Sequence, residues 1–461
     1  MSILSANEER FWGKTDSETL QNLIDFAAAN GENAVTIPHR NARTGGDVYV
    51  IDRCVYIPDD MTVILDGCHL RLADGVRENI FRNSALRDGA PLTLANEQRG
   101  IHLIGQCGAV LDGGEPNSLC EQLRRDHPDK YPPMLVNLLV FFVNVRDFEV
   151  RGIRVKDSRW WAYCFVYCRW GTLSDLSFEM HGTLENQDGI DLRVGCEYIT
   201  IENITGMTGD DTVALTALPM GYLETTYHVA GKKPHIHDIT ISNIISSSHG
   251  CSVLRFLCED GAKEYNITVD GIKDTGLSLS GASILFGSGD TRFAKDHPHR
   301  IDEFENIVVR NVTTNAQRGI SFAEPVRNLL VENVTTYGRN EIGIAFSDNF
   351  ECENFILRNF TFGADPKEAD CVFSVSAETL ARMKDYRIEH VRAASAKYTF
   401  RRGRPVIADG VFSEPFAAEM TDEAPRLRSA YGRYFRCFYG KEIENRPDDN
   451  RFTGTKGEYD V

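Results

Sequence analysis

Ile199-Thr200-Ile201-Glu202-Asn203-Ile204-Thr205-Gly206-Met207-Thr208-Gly209-Asp210-Asp211 joins an alternating apolar strand, an asparagine corner and two adjacent acids. Its first half recurs along the chain, as Ile239-Thr240-Ile241-Ser242-Asn243-Ile244 and Ile267-Thr268-Val269-Asp270-Gly271-Ile272. Related runs lie at 148–153, 173–178, 307–312, 329–334 and 355–360. Strict alternation marks a strand with one buried face. A unit repeating every roughly 20–30 residues marks a stacked coil, each turn resting on the one before. Asparagine follows the short strand at 203, 243, 311, 333 and 359. Its side chain tolerates left-handed backbone and bonds locally, so it suits a sharp corner, and stacked asparagines can form a ladder. Asn203, Asn266, Asn311, Asn333 and Asn359 also read as N-x-T acceptors, and repeat grammar is the simpler account.

Working outward, Thr15-Asp16-Ser17-Glu18 resembles a capping box, and Leu20, Leu23, Ile24 and Ala27 follow at helical spacing before Gly31. Short strands are expected at 48–51, 55–58, 63–65 and 69–72, separated by turns such as Asp66-Gly67. A helix ahead of short strands fits a cap over the open end of a solenoid, where bare edges invite aggregation. The apolar run Met134–Val145, interrupted by Asn137 and Asn144, is too short to span a bilayer and reads as a buried strand. A charged insertion covers 115–133, and the pattern fades after about residue 415. We therefore expect one repeat domain over 1–415 and a C-terminal cap and tail over 416–461.

A net charge of −17 argues against nucleic acid, which calls for a basic patch. The first residues lack the apolar core of a secretory signal, so a cytoplasmic location is expected. The 12 cysteines include no CxxC pair and read as small buried hydrophobes in a reducing compartment. Cys164 and Cys168 lack the neighbours of a metal site, and no metal, cofactor or membrane partner is expected. Oligomeric state is not legible.

The acids carry the chemistry. Asp188, in Asn186-Gln187-Asp188, precedes Asp210 by 22 residues, and Ser248-His249-Gly250 follows. If one coil takes that length, Asp188 and Asp210 fall on neighbouring rungs about 4.8 Å apart. Acids so close repel one another, which a protein avoids unless it needs them. An active site open to solvent is expected. Asp191 reads as a structural acid of its own coil. Trp160, Trp161, Tyr163 and Tyr167 are equally compatible with a ligand-stacking platform and with positions alternating between core and surface.

Asn-x-Asp-Gly-Ile-Asp at 186–191, Gly-Asp-Asp-x-Val-Ala-Leu at 209–215 and Ser-x-His-Gly at 247–250 resemble the polygalacturonase-like proteins, glycoside hydrolase family 28, in type and order. The resemblance spans residues 12–400 and implies an all-β, right-handed parallel β-helix with an N-terminal capping helix. It implies an inverting glycosidase. Asp210 would be the general acid, Asp188 and Asp211 would hold and deprotonate water, His249 would tune the acid, and Asn186 would support the geometry. Inversion requires a water between acid and base, their carboxyls roughly 6.5–9.5 Å apart.

The sequence also departs from that family. Its Arg-x-Lys grip on a uronate carboxylate has no counterpart in Gly281–Gly287. Arg255 can replace it as a bidentate clamp, or can pair with Glu259 or Asp260 instead. Gly250 joins Asn186 and Arg255 as substrate-binding candidates. The insertions 222–237 and 292–300 carry Lys232, Lys233, His235, His297 and His299 and are expected to wall one end of a groove. The expected activity is glycoside hydrolysis of pectin-derived oligosaccharides. The alternatives are a lyase or epimerase on the same scaffold, or a non-catalytic carbohydrate-binding solenoid.

Overall fold

The computed structural model describes residues 3–401 except 88, 90–91, 118–136, 183, 185, 289–299 and 394–397. The expected tail over 416–461, most of the insertion over 115–133, and His297 and His299 lie outside the described residues. The architecture is a right-handed parallel β-helix, as the repeats and the resemblance led us to expect. Its coils form two compact units, residues 3–209 with 221–233 and residues 210–220 with 234–401.

The first unit opens on the helix Asp16–Ala29, whose Leu20, Leu23, Ile24 and Ala27 are fully buried. The helix packs on strands Ala34–Pro38, Val48–Ile51 and Val55–Ile57. Thr15 caps it by accepting the Glu18 N–H at 3.2 Å, but the Glu18 carboxylate accepts from Lys14 N–H, so the expected box is half formed. One parallel sheet then runs through Val55–Ile57, Phe81–Asn83, Val140–Val143, Tyr163–Val166 and Ile190–Arg193. A second stacks Ala34–Pro38, Met61–Asp66, Gln98–Gln106, Val145–Arg151, Arg169–Ser174 and Glu197–Thr208.

The second unit repeats this plan more regularly. Strands Val213–Ala217, Ser252–Cys258, Ala282–Phe286, Arg318–Phe322, Ile342–Phe346 and Cys371–Ser374 make one sheet. Ile236–Ser248, Glu264–Asp274, Phe304–Thr314, Val326–Thr336, Cys352–Phe362 and Tyr386–Ala393 make the other. Equivalent inward positions meet rung on rung. Phe256, Phe286, Phe322 and Phe346 form a buried column with successive centroids 4.4, 5.1 and 5.4 Å apart. Each buried ring contributes about 1.5–3 kcal/mol of hydrophobic burial.

The corner asparagines behave as the repeat predicts. Asn203, Asn243, Asn311, Asn333 and Asn359 all have φ between 54° and 60°. Asn333 donates to Asn311 at 3.1 Å and Asn359 to Asn333 at 3.0 Å, which completes a ladder. A second ladder, missed in the sequence, runs Asn354 to Asn328 to Asn306 at 2.9 and 3.0 Å.

Candidate active site

Asp210 and Asp211 lie at the corner that enters strand Val213–Ala217, and Ser248, His249 and Gly250 lie at the corner that enters Ser252–Cys258. The register of those strands, Val213 opposite Leu254 and Ala214 opposite Arg255, sets the two corners side by side. Ser248 fastens them, its hydroxyl donating to the Asp210 carbonyl at 2.8 Å and accepting the Cys251 N–H at 3.1 Å. Gly250 adopts φ 89°, a left-handed turn that favours glycine, and its N–H points to the carbonyls of Ser248 and Leu279.

The Asp211 carboxylate is the most heavily supported group here. Its Oδ1 accepts the Cys251 thiol at 2.8 Å and the Ser252 N–H at 2.9 Å, and Arg255 Nη1 stands 3.8 Å from its Oδ2. Asp210 Oδ1 accepts the Asp211 N–H at 2.9 Å. Against the expectation of an open cluster, both acids are almost wholly enclosed, Asp210 2% and Asp211 3% exposed. Burial and then the Asp211 charge push the Asp210 carboxyl up to about 7. Burial raises Asp211 too, against the pull of Arg255, the thiol and the Ser252 N–H. His249 Nδ1 bonds Ser278 Oγ at 2.9 Å. Arg255 is 4% exposed and faces Asp211, a partner the sequence reading had not offered beside Glu259 and Asp260.

Cys251 was read from the sequence as a small buried hydrophobe. It is buried, but its thiol is a working donor to an acid. The available signal was its place directly after His249-Gly250. Oxygen and sulfur atoms of Asp210, Asp211 and Cys251 lie within 4.8 Å of one another, near enough to ligate one cation. A metal would have to displace the thiol proton, which burial and the two acids hold in place. The trio is better suited to sharing a proton.

In the first unit, Asn186 takes φ 59° and opens the turn before strand Ile190–Arg193. Gln187 locks that turn, donating to the Ser158 carbonyl at 2.7 Å. Asp188 is 5% exposed, and its carbonyl accepts the Ala162 N–H at 2.9 Å. Asp191 is structural as expected. It lies 3.9 Å from Arg193, which bonds Glu224 at 2.7 Å and stacks on Trp161. Those contacts fasten the insertion: Leu223 and Val229 pack with Phe141, Trp160, Trp161 and Tyr167 in one buried apolar cluster. The aromatic block around Trp160 is therefore packing, not an exposed platform. The insertion's other anchor is Lys232, bonded to Glu97 at 2.6 Å. Where the family's carboxylate grip would fall, Leu285 stands opposite Arg255 and packs with Ala282 and Ala323.

Residues 97–221 match the family model for Glycosyl hydrolases family 28, a segment that includes Asn186, Asp188, Asp210 and Asp211. No curated protein matches the chain. Among solved structures, PfbA, a surface adhesin of Streptococcus pneumoniae, aligns over 93% of this chain and 96% of its own, at 11% identity and TM-score 0.55. Endo-xylogalacturonan hydrolase from Aspergillus tubingensis aligns over 92% of this chain and 100% of its own, at 14% identity and TM-score 0.50. At these identities the likeness is one of fold.

Proposed function

We propose, from the premise that this chain is a polygalacturonase-like protein, that it is an inverting glycoside hydrolase acting on pectin-derived oligosaccharides. One observation carries the reading: two adjacent buried acids in unequal surroundings, Asp210 raised to about 7 and Asp211 backed by Arg255, a thiol and a backbone N–H. Neighbouring carboxyls resist double ionisation, so one keeps its proton near neutral pH while the other remains a base. The oxygens of Asp210 and Asp211 approach within 4.8 Å, closer than the usual inverting pair, so the attacking water lies beside the two carboxyls rather than between them. Asp210 then donates to the leaving glycosidic oxygen, and Asp211 takes the proton from that water. The bond from the anomeric carbon to the leaving oxygen breaks as the water oxygen bonds the opposite face, inverting the centre. His249 and Asn186 serve as positioning residues, and Gly250 shapes the corner that meets the sugar.

Arg255 lies beside the water-activating acid and is the cation proposed to meet a uronate carboxylate in place of the missing Arg-x-Lys element. In the first unit the outer face of Val140–Val143 and Tyr163–Val166 is covered by the insertion, which supports short substrates over a polymer lying along those rungs. Nine of the ten free cysteines among the described residues are buried, which suits a reducing compartment.

The deciding experiment incubates the protein with a panel of pectic and neutral oligosaccharides and reads the first-formed anomer by NMR. Inversion is expected. A retained anomer, or an ultraviolet-absorbing unsaturated product, overturns the mechanism.

A further inference from the structure

From Met61–Asp66 onward, one register position of the long sheet, just before the strand or within its first three residues, follows a rule with two exceptions. In the first unit this row is Asp60, Gly100, Asp147, Trp170 and Tyr198, fixed by the register of Met61 with Ile101, Phe148 with Gly171 and Gly171 with Ile199. In the second it is Asp238, Asn266, Asn306, Asn328, Asn354 and Asp385. All eleven have left-handed backbone, φ 50° to 63°. Asp, Asn and Gly adopt it readily, whereas a bulky aromatic there is strained. Residues held this way persist only where the surrounding structure fixes them, and they cluster at functional sites.

Trp170 and Tyr198 also face solvent, 49% and 47% exposed, with ring centroids 6.2 Å apart and planes tilted by 31°. Trp170 is the one tryptophan on the row. The Arg169 guanidinium sits 4.5 Å from its ring centroid and is held by Glu97 at 2.6 and 2.9 Å. Glu197 lies 3.7 Å from Arg169. The pair thus presents two adjoining aromatic faces rimmed by charged hydrogen-bonding groups rather than by further apolar surface.

We propose that Trp170 and Tyr198 form a surface platform that binds the pyranose rings of an oligosaccharide. The apolar C–H face of a sugar covers the rings, and its hydroxyls meet Arg169, Glu197 and the Tyr198 hydroxyl. An interface with a protein would want an apolar patch with a polar rim further out; two rings set directly among charges match a hydroxyl-rich ligand. The choice of sugar rests on the glycosidase reading above.

The test uses the chain carrying Asp210→Asn, titrated with trigalacturonate and with cellotetraose by isothermal calorimetry, which does not depend on the tryptophan being replaced. Binding of at least one probe is expected, with Trp170→Asn and Tyr198→Asn each weakening it roughly 5- to 30-fold. Because asparagine suits this row elsewhere, both substitutions are also expected to raise the melting temperature. No binding by either probe, unchanged affinity in both variants, or a lowered melting temperature in both overturns the platform. Hydrolysis is assayed separately in the otherwise unaltered chain. Hydrolysis with no Trp170-dependent binding sinks the platform alone, and Trp170-dependent binding without hydrolysis sinks the glycosidase reading alone.

Discussion

The Cys251 thiol donates to Asp211 Oδ1 at 2.8 Å, so a cysteine one residue beyond the His-Gly motif helps set the charge of a proposed catalytic acid. Removing the donor in Cys251→Ala withdraws support from the ionised carboxylate, and the acidic limb of the pH–rate profile should move to higher pH. A hydrogen bond to a charged group is worth about 1.5–3 kcal/mol, so a shift of about one pH unit is expected. Cys251→Ser, which keeps a donor, should restore most of the profile. A profile that stays put in the alanine variant would make the thiol mere packing.

Asp210→Asn should lower turnover roughly 100-fold or more while leaving substrate binding measurable. The same change should stabilise the fold. Asp210 has a folded value raised to about 7, above that of the unfolded chain, so its contribution to stability is fully present below the unfolded value and is lost as pH rises through about 7. The variant should therefore gain on the parent above pH 7, by about 1 kcal/mol or more, and the gain should shrink towards pH 4. Denaturant melts at both pH values check it.

Arg255→Ala leaves Asp211 enclosed without its nearest cation. Breaking a buried pair by removing one partner costs about 3 kcal/mol. The loss should be greatest at alkaline pH and ease as acidification neutralises Asp211. If Arg255 also meets a uronate, the variant's KM for trigalacturonate should rise more than its KM for any neutral oligosaccharide it cleaves. Equal changes would confine Arg255 to Asp211.

Asn333 serves two needs, a φ of 56° and a place in the ladder between Asn311 and Asn359. Asn333→Ala should cost about 2 kcal/mol, since both the left-handed backbone and the ladder bonds are compromised. Asn333→Gly relieves the backbone and should recover part of the loss. Matching melting temperatures for the two variants would assign the whole effect to the ladder.

Much of the scaffold was legible because its grammar is local. Alternation gave the strands of the long sheet, and asparagine after each short strand gave five left-handed corners. The second row was harder. Its residues sit just before their strands or within the first three positions, and Asn266 had been singled out only as a glycosylation-like sequon. A left-handed corner also resets the alternation, so Trp170 and Tyr198 point outward where a plain strand pattern gives no warning. The Trp160–Tyr167 block misled in the other direction, because the insertion carrying Leu223 and Val229 covers it. Motif order pointed to Asp210, Asp211 and His249. It could not show that Cys251 would turn its sulfur toward an acid, since that depends on two corners 40 residues apart in the chain meeting side by side.

The aligned phenylalanine column and asparagine ladders of the second unit dictate which length changes the gene can tolerate. Adding or removing one residue inside a strand between Asn311 and Asn333 would throw the rings and amides of that rung off their stacks, whereas ladder steps of 22 and 26 residues place the slack in the loops. Duplicating or excising a complete 22-residue turn would leave both columns continuous. Natural variation in this part of the chain should therefore come in whole turns, or in loops that leave the columns untouched.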